Sequence, residues 1–184
     1  MSQDDILALS NEEFSRIYLE RLSKLRKEIS SIEAYQKKKA KPLSNNQKAI
    51  YKMISGSAQS AIITVNDISI IFHIGNRKFG LKHILMRHYC DDCDGKVSAM
   101  DIISIERFLK KNLTFSENQN KYGYIYDKHV DGNVEKYKLL LFKDVNHDNV
   151  LSVYKIEAES GTGANSPVDK STETSMGELI LSEK

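Results

Sequence analysis

The 184 residues suffice for one ordinary domain with room for an appendage at either end, and 40% hydrophobic against 28% charged residues is an ordinary globular balance. No stretch approaches the roughly 18 apolar residues of a membrane span, and two cysteines, Cys90 and Cys93, are too few for a disulfide scaffold. The net charge of +2 is uneven, because residues 157–184 carry six acidic groups against Lys170 and Lys184 and leave the preceding 156 residues at +6. A moderately basic body suits a polyanionic partner. The start, Met1-Ser2-Gln3-Asp4-Asp5, is acidic and polar where a secretory signal is basic. The expectation is a cytoplasmic chain with both thiols free, no membrane partner, and delivery into a target cell left open.

Ser10-Asn11-Glu12-Glu13 is a capping box that opens a helix. Tyr18, Leu22, Leu25, Ile29 and Ile32 step by four and three along it and form one apolar stripe. It runs out in the cations before Pro42. A second box, Ser44-Asn45-Asn46-Gln47, opens a shorter helix that Gly56 closes. Residues 61–65 and 68–72 are β-branched and separated by Asn66-Asp67, a hairpin signal. From Gly80 to Tyr89 the period is helical again, and Ser98 caps a further helix through Leu109. Tyr122 to Tyr126, Tyr137 to Phe142 and Val150 to Ile156 read as three antiparallel strands, the first two joined by Asp131-Gly132. The division expected is a helical region (1–58), an α+β domain (59–157) and a disordered acidic tail (158–184) with Leu179-Ile180-Leu181 as a short docking motif. Alternating βαβ units are absent, which favours α+β, with helices on an antiparallel sheet.

The densest reactive stretch is Gly80-Leu81-Lys82-His83-Ile84-Leu85-Met86-Arg87-His88-Tyr89. Imidazoles titrate near neutrality, so a pair can supply a base and an acid. RNA cleavage needs that combination: one group removes the 2′-OH proton, another protonates the leaving 5′-oxygen, and cations stabilise the charge between them. The nucleophile lies within the substrate, so neither metal nor cofactor is required. Lys82 and Arg87 are placed as phosphate contacts, with solvated helix-flanking charges as the alternative. The spacing presents an obstacle, since positions five apart lie about 140° from each other around a regular helix. Either the helix begins after His83, or only one histidine acts. The purely structural alternative is a buried His88 and an exposed His83.

Phe79-Gly80-Leu81-Lys82-His83-Ile84 followed by Arg87-His88 resembles the Gly-x-x-His-Ile…Arg-His signature of phage and toxin nucleases of the barnase, EndoU, colicin-type and RelE superfamily. The resemblance covers roughly residues 60 to 157. It implies a barnase/RelE-like fold that binds RNA across an exposed sheet face and leaves a 2′,3′-cyclic phosphate. It also makes His83 and His88 the acid–base candidates and the last-strand hydroxyls of Ser152 and Tyr154 the third group. On the same ground the expected function is a toxin-like or prophage-borne endoribonuclease. Its substrate would be RNA, tRNA among the candidates, and its partner a cognate immunity or antitoxin protein.

Two other functions stay open. One is a non-catalytic RNA-binding module. The other is a calcium-binding helix–loop–helix, because residues 90–101 place Asp92, Asp94, Gly95 and Asp101 at positions three, five, six and twelve of an EF-hand loop, although Cys90 is a poor first ligand. Cys90, Cys93 and His88 offer three of the four ligands a structural zinc needs.

Overall fold

The computed structural model describes residues 2–110, 114–118, 120–144 and 147–156. The acidic tail and its apolar triplet lie outside the described residues, as do Val145 and Asn146 of the last strand connection. The chain is α+β, with helices α1 (Gln3–Ala8), α2 (Asn11–Lys38), α3 (Asn45–Ser55), α4 (Gly80–Arg87), α5 (Ala99–Ile103) and α6 (Glu106–Leu109). Its six strands are β1 (Ser60–Val65), β2 (Ile68–His73), β3 (Thr114–Asn118), β4 (Lys121–Val130), β5 (Asn133–Lys143) and β6 (Asp148–Ile156). Among the described residues no helix is long and apolar enough to cross a membrane.

Local chemistry sets most helix boundaries. Ser2, Ser10, Ser44 and Ser98 each accept from the backbone three residues on, and the acidic or amide side chain there accepts from the serine N–H, so four helices begin on reciprocal capping boxes. Gly56 closes α3 at φ +90°, a conformation open to glycine without a Cβ clash. Leu22, Leu25 and Ile29 of the α2 stripe are buried and join one core with α3, α4 and the inner face of the sheet.

Five features depart from the sequence reading. A short helix, α1, precedes the Ser10 box, and an edge strand, β3, precedes the three late strands. The helix expected from Ser98 to Leu109 is two pieces, broken at Ser104. The break turns Glu106 toward the start of α3, where its carboxylate accepts from Ser44 Oγ at 2.9 Å and Asn46 Nδ2 at 2.8 Å. Cys90 and Cys93 are not free thiols but a disulfide. Their turn holds the Cα atoms 5.2 Å apart, inside bridging range. Finally, the sheet is not antiparallel throughout.

The strand order is β1-β2-β6-β5-β4-β3, so the early hairpin and the late strands form one sheet. They join through a parallel contact of two residue pairs, Ile70 with Asp148 and Ile71 with Asn149. Beyond it, α4 packs against both β2 and β6. β5 and β6 pair antiparallel with a bulge, since Leu140 faces Ser152 while Leu141 faces Val150. Directly opposed residues share a sheet face. The helix-side face therefore carries Tyr124, Leu139, Leu141, Val150 and Val153, all buried. The opposite face carries Lys121, Lys138, Phe142, Asn149, Ser152 and Tyr154.

Candidate active site

His83 and His88 come together despite their spacing. α4 ends at Arg87, and His88 is its C-cap with φ −123° and ψ −8°, outside helical geometry. Leaving the helix at that residue lets the second imidazole swing back toward the first. The ring centroids lie 5.8 Å apart at an interplanar angle of 76°. The helix does not begin after His83: His83 lies within it, and His88 is the residue that leaves it. Nor is His83 exposed. The two residues retain 4% and 5% of their surface.

Each ring is fixed by a backbone carbonyl. His83 Nδ1 donates to Arg77 O at 3.2 Å, and His88 Nδ1 donates to Asp94 O at 2.9 Å. A carbonyl only accepts, so the bound nitrogen carries the proton and the neutral ring keeps its lone pair on Nε2. Burial pushes both imidazoles below their ordinary value, and the nearby Arg87 guanidinium adds to the effect. His88, which also lies beside His83, falls to about 4. Both rings are therefore neutral bases at pH 7.

The loop after α4 holds His88 in place. His88 O accepts from Val97 N at 2.8 Å, and Gly95 O accepts from Lys155 N of β6 at 3.0 Å. Gly95 sits at φ +62°, and a Cβ there would lie 2.9 Å from Lys155 O and 3.1 Å from Tyr154 Cβ. Only glycine lets the loop pass this close to the strand. Against it the Tyr154 ring stacks on His88, centroids 5.2 Å apart and 20° from parallel. Burial raises the Tyr154 hydroxyl above its usual pKa, with Glu117 adding to the rise, so it stays protonated.

These side chains line a cleft of about 730 Å³ that also takes in Arg87 and Ser152. Ser152 is 2% exposed, and its Oγ has no hydrogen-bond partner among the described residues. A buried hydroxyl without a partner is costly, and this one borders an open cleft. The structure thus brings together five of the six residues singled out from sequence. The sixth, Lys82, is not in the cleft. Its ammonium lies over the Tyr18 ring, 5.4 Å from the centroid, and the residue borders a neighbouring pocket.

Sequence reasoning missed Lys78, Lys121 and Lys155, the other cations lining the cleft, together with Glu117 and Gln3. Lys78 stands two residues before Gly80 and was legible as a cation beside the signature. Lys121 and Glu117 reach the site only because β3 and β4 lie across the sheet from α4, which no local pattern encodes. Gln3 arrives on α1, where its Nε2 donates to the same Arg77 carbonyl that holds His83.

The calcium reading finds its loop otherwise engaged. Cys90 is bonded to Cys93. Asp101 Oδ2 accepts from Ser98 N and Oγ, and its Oδ1 pairs with Lys128 at 2.9 Å. Among the described residues no group of three His, Cys, Asp or Glu side chains is placed to hold a metal ion. The disulfide also removes both thiols from a zinc set.

No family model, curated protein or solved structure matches this chain. The cleft's chemistry therefore rests on its own geometry.

Proposed function

We propose that the protein is a metal-independent endoribonuclease that cleaves RNA by acid–base transesterification, leaving a 2′,3′-cyclic phosphate. The observation that carries this reading is the convergence of two imidazoles, 5.8 Å apart, in one cationic cleft. One neutral imidazole removes the 2′-OH proton through its free Nε2. The Tyr154 hydroxyl, held protonated beside His88, supplies a proton to the departing 5′-oxygen. Arg87, Lys78 and Lys121 meet the charge that builds on the phosphorus oxygens, and the unpartnered Ser152 hydroxyl is free to donate to one of them. The resemblance of the α4 signature to toxin and phage nucleases supports the same reading. It extends the proposal to a toxin-like, prophage-associated effector acting on RNA such as tRNA, with a cognate inhibitor as partner.

The test is incubation of the purified chain with total RNA and with tRNA in excess EDTA, followed by analysis of the new 3′ ends. Cyclic phosphate ends, lost in His83→Ala and His88→Ala proteins that still fold, are the expected result. RNA that is bound but stays intact would leave a non-catalytic binding module in its place.

A further inference from the structure

Beside the catalytic cleft lies a second pocket of about 440 Å³, bordered by His73, Phe79, Lys82, Phe142 and Asn149. Three rings follow one another in it. His73 meets Phe79 edge-on with centroids 6.4 Å apart, and Phe79 meets Phe142 at 5.5 Å and 74°. Neither phenylalanine is buried; both keep part of their surface open. Half-open aromatic rings in a mainly polar pocket are poorly explained as core. At one wall, Asn149 is fixed with its Oδ1 2.9 Å from His73 Nε2 and its Nδ2 donating to His147 O at 3.2 Å.

The pocket and the cleft draw their linings from neighbouring residues of β5, β6 and the start of α4. Phe142 lies two residues along β5 from Leu140, which lines the cleft, on the same face. Two strand residues span roughly 6.7 Å, about the step from one nucleotide of an extended strand to the next. Just before α4, Phe79 directly follows Lys78 of the cleft, and within the helix Lys82 directly precedes His83.

We propose that this pocket binds the nucleobase next to the scissile phosphate and sets the base preference of cleavage, an inference that rests on the ribonuclease reading for its place in the reaction. Phe79 and Phe142 offer the base faces to stack on, and amide and imidazole groups stand where its edge would be read. Lys82 at the rim meets a neighbouring phosphate. Base–aromatic stacking contributes on the order of ten- to a hundred-fold in affinity per base.

The experiment uses the full chain and two readouts. In the first, each of the four 2′-deoxynucleoside 5′-monophosphates is titrated to millimolar concentration while the ring NMR signals of His73, Phe79 and Phe142 are followed. At least one base should move all three sets of signals. Phe142→Leu and Phe79→Leu, which keep apolar bulk but remove a ring, should each weaken that binding about ten-fold. In the second, cut sites are mapped on RNA: both variants should raise KM about ten-fold, leave kcat within a few-fold, and blur the base preference. Ring shifts with RNA left uncut would remove the ribonuclease reading and keep the pocket. Ring signals indifferent to all four nucleotides, or cleavage whose KM and base preference are unchanged in both variants, would overturn the pocket.

Discussion

At the scale of the residue, the decisive property of the site is that both imidazoles are buried, tautomerically fixed and neutral. His88 titrates near 4 in the folded chain and near 6.5 in an unfolded one. At pH 7 both states are neutral and the difference contributes nothing. As pH falls below 6.5 the unfolded chain takes up the proton first, so stability drops until the folded ring also titrates near 4. This loss amounts to about 3 kcal/mol from His88. Urea midpoints should therefore decline between pH 7 and pH 4, and His88→Gln should show a smaller decline, the remainder including the contribution of His83. The same lowering fixes the activity profile. With a neutral imidazole as base, kcat/KM should rise with pH below 6.5 and hold a plateau through pH 8, because the Tyr154 proton is retained there. Tyr154→Phe should cost about 10²- to 10⁴-fold in kcat, and a kcat/KM that already falls with rising pH below 7 would show that an imidazolium is the acid instead. Ser152→Ala separates stability from chemistry. Its hydroxyl has no partner to lose, so thermal stability should hold or rise while kcat falls.

At the scale of the element, two irregularities make the site. The first is the end of α4: one residue more of helix would leave the imidazoles on different faces. The second is the β5–β6 bulge. Strict alternation would put Val150, Ser152 and Tyr154 on one face. The extra residue instead sends Val150 and Val153 into the core and leaves Ser152 and Tyr154 on the cleft side. Bulges re-aim side chains in this way. Gly95 is the contact that docks the loop onto that strand. Gly95→Ala would add left-handed strain of about 1–2 kcal/mol to a Cβ contact with the Lys155 carbonyl. The expected result is a lower melting temperature together with a perturbed His88 ring signal, whereas Gly132→Ala, whose Cβ would meet nothing within 4 Å, should leave that ring unmoved. The helices opened at Ser10 and Ser44 were legible because capping boxes and apolar stripes act within one turn. The end of α4 was not, because residue 88 leaves the helix to satisfy Asp94 and Val97, contacts made only after the loop folds back.

At the scale of the whole molecule, one sheet unites an early hairpin and three late antiparallel strands plus a short edge strand. The amino-terminal helices are fastened to it beside the cleft. Arg77 donates to the carbonyls of Ile6, Leu7, Leu9 and Ser10 and stacks on Phe14, while its own carbonyl holds His83. The opposite side of the site is braced by the Cys90–Cys93 disulfide. So short a loop constrains the unfolded chain little, about 2 kcal/mol by loop-closure entropy. The double variant Cys90→Ser, Cys93→Ser should melt about 4–8 °C lower, and a dithiol reductant should reproduce that shift in the unaltered protein and leave the variant unchanged.

Sequence alone was enough for much that neighbouring residues decide between themselves: the helices opened at Ser10 and Ser44, the hairpin at Asn66-Asp67, the Asp131-Gly132 turn and the α+β class. Tertiary structure decided what depends on residues far apart in the chain. The β2–β6 parallel seam joins positions 70 and 148, and Lys121 reaches the cleft from across the sheet. Lys82, next to His83 in sequence, stays out of the cleft with its ammonium over the Tyr18 ring. Local preferences are worth a kcal/mol or less apiece and extend about four residues. A strand pairing or a shared cleft is settled by burial summed over the core, and that sum exists only in the folded chain.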